Sequence, residues 1–332
     1  MSKCTFRTTT AALCGLFMLA LSAQPLSAAP PTDVRNGVVL FVAKTFSNPY
    51  FREMRDGIQA AIQSDTRIRA EMTAGTKEDD VSGQRAIIES YLARASGAGG
   101  YNLVGIILAP AASNTELTDL IRRMNDMRIP IVVLDTAIAP SALSRDQAHI
   151  TSFIGSSNID GGRLAANMIA ARVPRGGKIL LLNGVPGQST AADRRAGFLS
   201  RLSEIRQQHG PAYEVREWTA NWTQSEALVA TSSILSSGDK IDAIFGANDQ
   251  MALGAAEAVR SSPRPLAFQP VIVGFDAIPE ARDAVQKGTL SATIAQDPKT
   301  MGAKAIAVLE ATWNGSPVQP VYTIPVKPVV RR

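Results

Sequence analysis

Cysteine is nearly absent from this chain. Only Cys4 and Cys14 occur, both within the first 28 residues, so a chain trimmed of that stretch holds neither a disulfide nor a thiol nucleophile and draws its stability from its core. Histidine is as scarce, with His149 and His209 alone. There is no Gly-x-Ser-x-Gly elbow, and neither a Gly-x-Gly-x-x-Gly loop nor a Walker-type Gly-Lys-Ser/Thr pairing follows the first expected strand. These absences argue against thiol, serine-elbow, dinucleotide and P-loop chemistry. A dense patch of one charge is missing too. The formal charge is +5, or +3 once Lys3 and Arg7 are set aside (5 minus 2), and the remaining charges are scattered. Neither a nucleic-acid surface nor a polybasic membrane segment stands out. Beyond the N-terminal stretch no apolar run is long enough to cross a bilayer.

The N-terminal stretch itself reads as an export signal. Lys3 and Arg7 supply a positive start, residues 11–23 a short apolar core, and Leu26-Ser27-Ala28 a small residue for cleavage. A lipoprotein reading through Cys14 fits less well, because Ala11, Ala12 and Leu13 do not form the usual lipobox. A periplasmic, signal-cleaved protein is therefore expected. About 300 residues remain, enough for two domains of ordinary size.

What is present is alternation. Residues 38–43 form an unbroken apolar run, the pattern of a parallel strand covered on both faces. Further strands are expected at 68–73, 104–108 and 131–134, with helices at 51–64, 80–95 and 114–127 between them. The rhythm then repeats, with strands at 150–154, 178–182, 241–245, 271–275, 289–295 and 321–326. Helices are expected at 161–172, 192–208, 225–236, 251–260, 278–287 and 301–313. Strand-helix-strand series of this kind require parallel sheets with helices on both faces. The expectation is an α/β fold of two doubly wound parallel-sheet domains with a ligand cleft between them.

Polar residues collect where strands end. Lys44, Ser47 and Asn48 follow the first strand, with Pro49 ending regular pairing and Tyr50 and Phe51 opening a helix. Asp135, the pair Asn248 and Asp249, Asp276 and Gln296 each follow a later strand, and Arg194 sits at the start of a helix. Each alone is as readily a helix cap or turn residue; their repetition points to a site, because ligands of open α/β sheets sit outside the carboxyl ends of the strands. Asp, Asn, Gln and Arg each engage two neighbouring groups at once, which adjacent sugar hydroxyls need. Flat rings such as Tyr50, Phe51, Trp222 and Phe275 suit the apolar faces of a sugar. Trp218 and Trp222 can both be read as core residues instead. Trp222, in the polar run Thr219-Ala220-Asn221-Trp222-Thr223-Gln224, is the better candidate for contact.

Four separated motifs carry a family resemblance: Lys44-Thr45-Phe46-Ser47-Asn48-Pro49-Tyr50-Phe51, Ala247-Asn248-Asp249-Gln250-Met251-Ala252-Leu253-Gly254, Val273-Gly274-Phe275-Asp276-Ala277-Ile278-Pro279-Glu280 and Ala292-Thr293-Ile294-Ala295-Gln296. Over nearly the whole chain past the leader, the sequence resembles the periplasmic sugar-binding proteins of ABC transporters, in the ribose and allose group with the type I periplasmic fold. The resemblance implies three crossings between domains, near 155–157, 296–297 and 322–325, forming a three-strand hinge. Residues 34–155 with 297–322 would then make one lobe and 156–296 with 323–332 the other. Asn48, Phe51, Tyr50 and Asp135 would face the ligand from the first lobe, Arg194, Trp222, Asn248 and Asp276 from the second, with Gln296 at a crossing. The implied partners are a small-molecule sugar and a membrane permease, with docking on a chemoreceptor left open as an added task. A monomer and no cofactor are expected.

The sequence departs from the ribose pattern in two places. Ribose binders carry Asn where Ala109 stands and Arg where Thr136 follows Asp135, and unpaired ribose hydroxyls in a buried site would cost about 1 to 3 kcal/mol each. Lys44 matches a lysine that allose-type members place on their sugar. A hexose, or a related polyol, is therefore expected ahead of a pentose; the alternative for Lys44 is a solvated charge on the rim. Two rival functions remain. An exported carbohydrate-active enzyme could pair Asp135 with Asp276, although separate strand ends ringed by Arg and amides suit hydroxyl pairing better. A sugar-responsive repressor would need an N-terminal helix-turn-helix where this chain has its export signal.

Overall fold

The computed structural model describes residues 33–63, 65–208, 210–262 and 269–331. The expected signal at 1–28, both cysteines and His209 lie outside the described residues. In chain order the strands are β1 (Gly37–Ala43), β2 (Ile68–Ala74), β3 (Leu103–Leu108), β4 (Ile131–Leu134), β5 (Ser152–Ser156), β6 (Gly177–Asn183), β7 (Tyr213–Thr219), β8 (Ala243–Gly246), β9 (Val271–Asp276), β10 (Ala292–Ala295), β11 (Val321–Ile324) and β12 (Lys327–Val330). The helices are α1 (Pro49–Ile62), α2 (Val81–Ser96), α3 (Thr118–Asp126), α4 (Pro140–Arg145), α5 (Asn158–Arg172), α6 (Ser189–Gln207), α7 (Gln224–Ser236), α8 (Asp249–Arg260), α9 (Pro279–Lys287) and α10 (Pro298–Trp313).

These strands make two six-stranded sheets, ordered β11-β5-β4-β3-β1-β2 and β12-β10-β9-β8-β6-β7. The first is parallel throughout. The second is parallel except where β12 runs antiparallel to β10. Every residue of β1 and β3 is buried, as continuous apolar runs under helices on both faces require. Burying one large aliphatic or aromatic side chain is worth roughly 1.5 to 3 kcal/mol, and dozens are buried here. A core of that size holds the fold without cross-links.

The chain passes from the first sheet to the second after β5, returns after β10 because α10 packs on α1, β4 and β5, and passes back between β11 and β12. The α1–α10 contact is close because it is built on glycine. A Cβ on Gly57 would strike the backbone of Lys299, and one on Gly302 the backbone of Met54.

Besides shifted element ends, four features differ from the sequence reading: no helix was expected at 140–145, where α4 forms. The single last strand expected at 321–326 is two strands in different sheets, broken at Pro325 and Val326. Strand β7 was not expected: it is an edge strand, largely exposed, and its Glu and Arg residues hide the apolar alternation. The helix expected at 114–127 begins as a 3-10 turn, Thr115–Leu117, before α3.

Candidate binding site

The carboxyl ends of β1 and β4 from one sheet face those of β8 and β9 from the other across a small cavity of about 20 Å³. Of the ten site candidates, Lys44, Asn48, Tyr50, Phe51, Asp135, Arg194, Trp222, Asn248 and Asp276 line it. Gln296 stands one hydrogen bond behind, donating from Nε2 to Asp276 Oδ1 at 2.7 Å and accepting from Tyr50 OH at 3.2 Å. Glu78 and Thr190 also line the cavity; neither was among the candidates.

Local structure explains why these side chains point inward. Asn48 and Asn248 are the N-caps of α1 and α8, their Oδ1 atoms accepting from the backbone N–H of Tyr50 and Met251 at 3.0 and 2.9 Å. Capping therefore fixes both amides, and their Nδ2 atoms donate to Glu78 Oε1 and to the carbonyl of Trp222. Both residues thus cap a helix and line the cavity at once. Asp135, Trp222 and Asp276 share a different signature: each sits at positive φ, at 63°, 66° and 110°. For a residue other than glycine this conformation is uncommon, and for one as bulky as Trp it is strained. Gly184 accommodates Trp222, since a Cβ there would collide with the indole ring.

Two buried ion pairs cross the interior. Lys44 Nζ donates to Asp135 Oδ2 at 3.1 Å, and Arg194 Nη1 lies 3.4 Å from Asp276 Oδ1; all four side chains are under a tenth exposed. The rim placement considered for Lys44 is thus ruled out by its burial. Thr136, where the ribose pattern has Arg, donates its hydroxyl to Asp135 Oδ2 at 2.8 Å. Burial pushes the Asp135 carboxyl up, but Lys44 and then Arg194 outweigh it and hold the group below its usual value. For Asp276 burial wins over Arg194, and the carboxyl is pushed up to about 7. Glu78 is raised by burial as well, against the pull of Lys44. Asp249, behind Asp276 and bonded to Thr293 Oγ1 and the N–H of Ile278, is raised well above the carboxylate range by burial and by the neighbouring Asp276.

Arg194 is held rigidly. Its Nε donates to Asn158 Oδ1 at 2.8 Å and its Nη1 to the Ala247 carbonyl at 2.7 Å, while its guanidinium lies 3.8 Å from the centroid of Phe275 and 5.3 Å from that of Trp222. Phe275 thus supports Arg194 and is not itself in the cavity wall. The two sides are joined by Gln188, just before α6. Its Oε1 accepts from both Lys44 Nζ and Trp222 Nε1, and its Nε2 donates to the carbonyls of Glu78 and Ala111. Trp218, read as a core alternative, is instead 42% exposed on β7.

Residues 38–317 match the family of the periplasmic binding protein domain. The chain belongs to that family. Among its relatives is the ribose import binding protein of Salmonella typhimurium, 26% identical over 316 residues that span 94% of this chain and 97% of the relative. The D-allose-binding periplasmic protein of Escherichia coli is 28% identical over 285 residues, 86% of this chain and 87% of that one. Among solved structures, an ABC transporter solute-binding protein from Actinobacillus succinogenes with bound D-allose superposes with a TM-score of 0.79 at 28% identity, over 89% of this chain and 98% of that one. One from Bacillus halodurans with bound myo-inositol gives 0.75 at 25% identity, over 90% and 96%. The chain thus shares its two-sheet α/β architecture with these solved structures over most of its length.

Proposed function

We propose that this protein is an exported solute-binding protein that captures one monosaccharide or related polyol between two lobes and delivers it to an ABC-type import permease. The observation that carries the proposal is the composition of the cavity wall. Both sheets supply paired polar groups, Asp135 and Lys44 on one side, Asp276, Arg194 and Asn248 on the other, with the rings of Tyr50, Phe51 and Trp222 among them. Adjacent hydroxyls are matched by such two-atom partners and C–H faces by the rings. The relatives named for ribose and D-allose import, and the neighbours holding D-allose and myo-inositol, support the same ligand class.

The lobes are residues 34–155 with 297–322 and residues 156–296 with 323–332, a division supported in outline by sheet membership and by the packing of α10, although Ser156, Thr323 and Ile324 still pair within the first sheet. Either half of the wall alone leaves part of a sugar's hydroxyl pattern unpaired. The sugar therefore favours the closed arrangement, and the three crossings absorb the dihedral change. The permease reads the closed shape at the outer rims. All ten candidates act on the ligand, nine by contact and Gln296 by orienting Asp276 and Tyr50. A hexose or polyol is favoured over ribose because Ala109 and Thr136 replace polar groups of the ribose pattern.

The protein works as a monomer after signal cleavage, makes and breaks no bond, and can serve a chemoreceptor as a second partner. A thermal-shift screen over pentoses, hexoses and polyols tests this reading: ligand at a hundred times its Kd adds about 2.7 kcal/mol of stability. Turnover of any sugar in the same mixtures would instead support the enzyme.

A further inference from the structure

The cavity contains one carboxylate more than its cations can match. Lys44 is committed to Asp135 and Gln188, and Arg194 to Asn158, the Ala247 carbonyl and Asp276. Glu78, in the turn between β2 and α2, is 9% exposed and lines the same cavity, yet forms no ion pair among the described residues. Its carboxyl accepts a single side-chain hydrogen bond there, from Asn48 Nδ2 to Oε1 at 2.9 Å. A carboxylate can accept about four. A buried carboxylate so poorly matched is costly unless it takes up a proton or meets a donor.

Its position is not left to chance. The backbone carbonyl of Glu78 accepts from Gln188 Nε2 at 2.9 Å, a bond that reaches across from the opposite sheet. The arrangement that brings Lys44, Trp222 and Gln188 together is therefore the one that sets Glu78 against the cavity. Asn48, locked by its own cap bond, fixes one carboxylate oxygen and leaves the other free for a ligand atom. Burial also raises this carboxyl above its ordinary value, as expected of an acid lacking a full set of partners.

We propose that Glu78 is a specificity-determining residue, whose carboxyl accepts a hydrogen bond from a hydroxyl or ammonium donor on the ligand and disfavours sugars that carry a carboxylate. The inference rests on the reading of the cavity as a sugar site. It gives the site a direction of charge: neutral or amino sugars are admitted and uronic acids are refused.

The test is calorimetric titration of the wild type and of Glu78→Gln with matched sets, glucose, glucosamine and glucuronate, then galactose, galactosamine and galacturonate, together with the best neutral sugar of the screen. The amide keeps the shape and the bond from Asn48 and removes the charge. Glu78→Gln is expected to bind the best sugar at least tenfold more weakly and to narrow the preference over the uronate at least tenfold. An amino sugar that outbinds its neutral parent in the wild type only identifies ammonium as the donor; a neutral sugar that binds best and weakens in the variant identifies hydroxyl. If Glu78→Gln melts far below the wild type, Glu78→Asp, which keeps the charge but draws it back, should show the same loss of sugar affinity. Wild-type affinity and wild-type discrimination in a folded variant would overturn the proposal. Absence of any binding by the wild type would remove the sugar reading itself, and this inference with it, an outcome visible in the wild-type arm alone.

Discussion

Lys44 and Asp135 form a buried ion pair at 3.1 Å, the lysine following β1 and the aspartate following β4. Removing one member of such a pair leaves an uncompensated buried charge, at about 3 to 5 kcal/mol. Lys44→Met is therefore expected to lower the melting temperature markedly as well as to weaken sugar binding. Lys44→Met with Asp135→Asn should recover most of the stability and none of the affinity. Thermal melts and titrations on the single and double variants separate the two effects; a double variant that regains binding would show that neither group contacts the ligand.

Asp276 faces Arg194 and is oriented by Gln296. Asp276→Asn keeps the size of the side chain and removes its charge. Loss of a charge-assisted hydrogen bond costs about 1.5 to 3 kcal/mol, so sugar affinity should fall by roughly one to two orders of magnitude while the circular dichroism spectrum is unchanged. An affinity equal to the wild type would take Asp276 out of the binding site.

The stability of the free protein should fall as pH rises from 5 to 8. Asp276 is pushed up to about 7 by burial, only partly offset by Arg194, against an ordinary value of 3.8. The folded protein thus keeps a proton that the unfolded chain releases near pH 4. That contribution is present in full below the ordinary value and is lost as pH rises through about 7. Glu78 and Asp249 are raised too and act in the same direction, whereas Asp135, held low, loses its contribution only in more acidic solution. Melting temperatures taken across this range on the wild type and Asp276→Asn check the sign, and the variant should show the shallower slope. A wild-type profile that rises between pH 5 and 8 would contradict it.

Trp222 donates its indole N–H to Gln188 and lies beside Arg194, whereas Trp313 is buried against the Val104 carbonyl and Trp218 is on the outer edge of its sheet. Sugar binding should therefore change tryptophan emission through Trp222. Trp222→Phe is expected to lose most of that change; a variant that keeps the whole signal would place the reporter elsewhere.

Much of this site could be read from where strands end. Asp135, Asn248, Asp276 and Gln296 follow apolar runs whose length already fixed the strands, and the carboxyl end of a parallel strand is where a ligand belongs. The strained backbone at Asp135, Trp222 and Asp276 is a stronger mark of function, but φ is not written in a sequence. Glu78 stayed hidden because Lys77-Glu78-Asp79-Asp80 has the composition of a solvated turn. Only folding shows that Asp80 turns back to cap α2 while Glu78 faces inward. Gln188 stayed hidden for a related reason: its four partners come from distant parts of the chain, and nothing local in Gly184-Val185-Pro186-Gly187-Gln188 announces them. Strand β7 was missed because an edge strand exposed to solvent does not need the apolar run that marked its neighbours.

In the proposed complex one sugar is held by both sheets at once. A crystal structure with the best sugar of the screen tests it most directly. A single ring is expected in the cavity, its hydroxyls within hydrogen-bond distance of Asp135 on one side and of Arg194, Asn248 and Asp276 on the other, and Trp222 against a C–H face. A sugar bound to one sheet alone, or outside the cavity altogether, would contradict it.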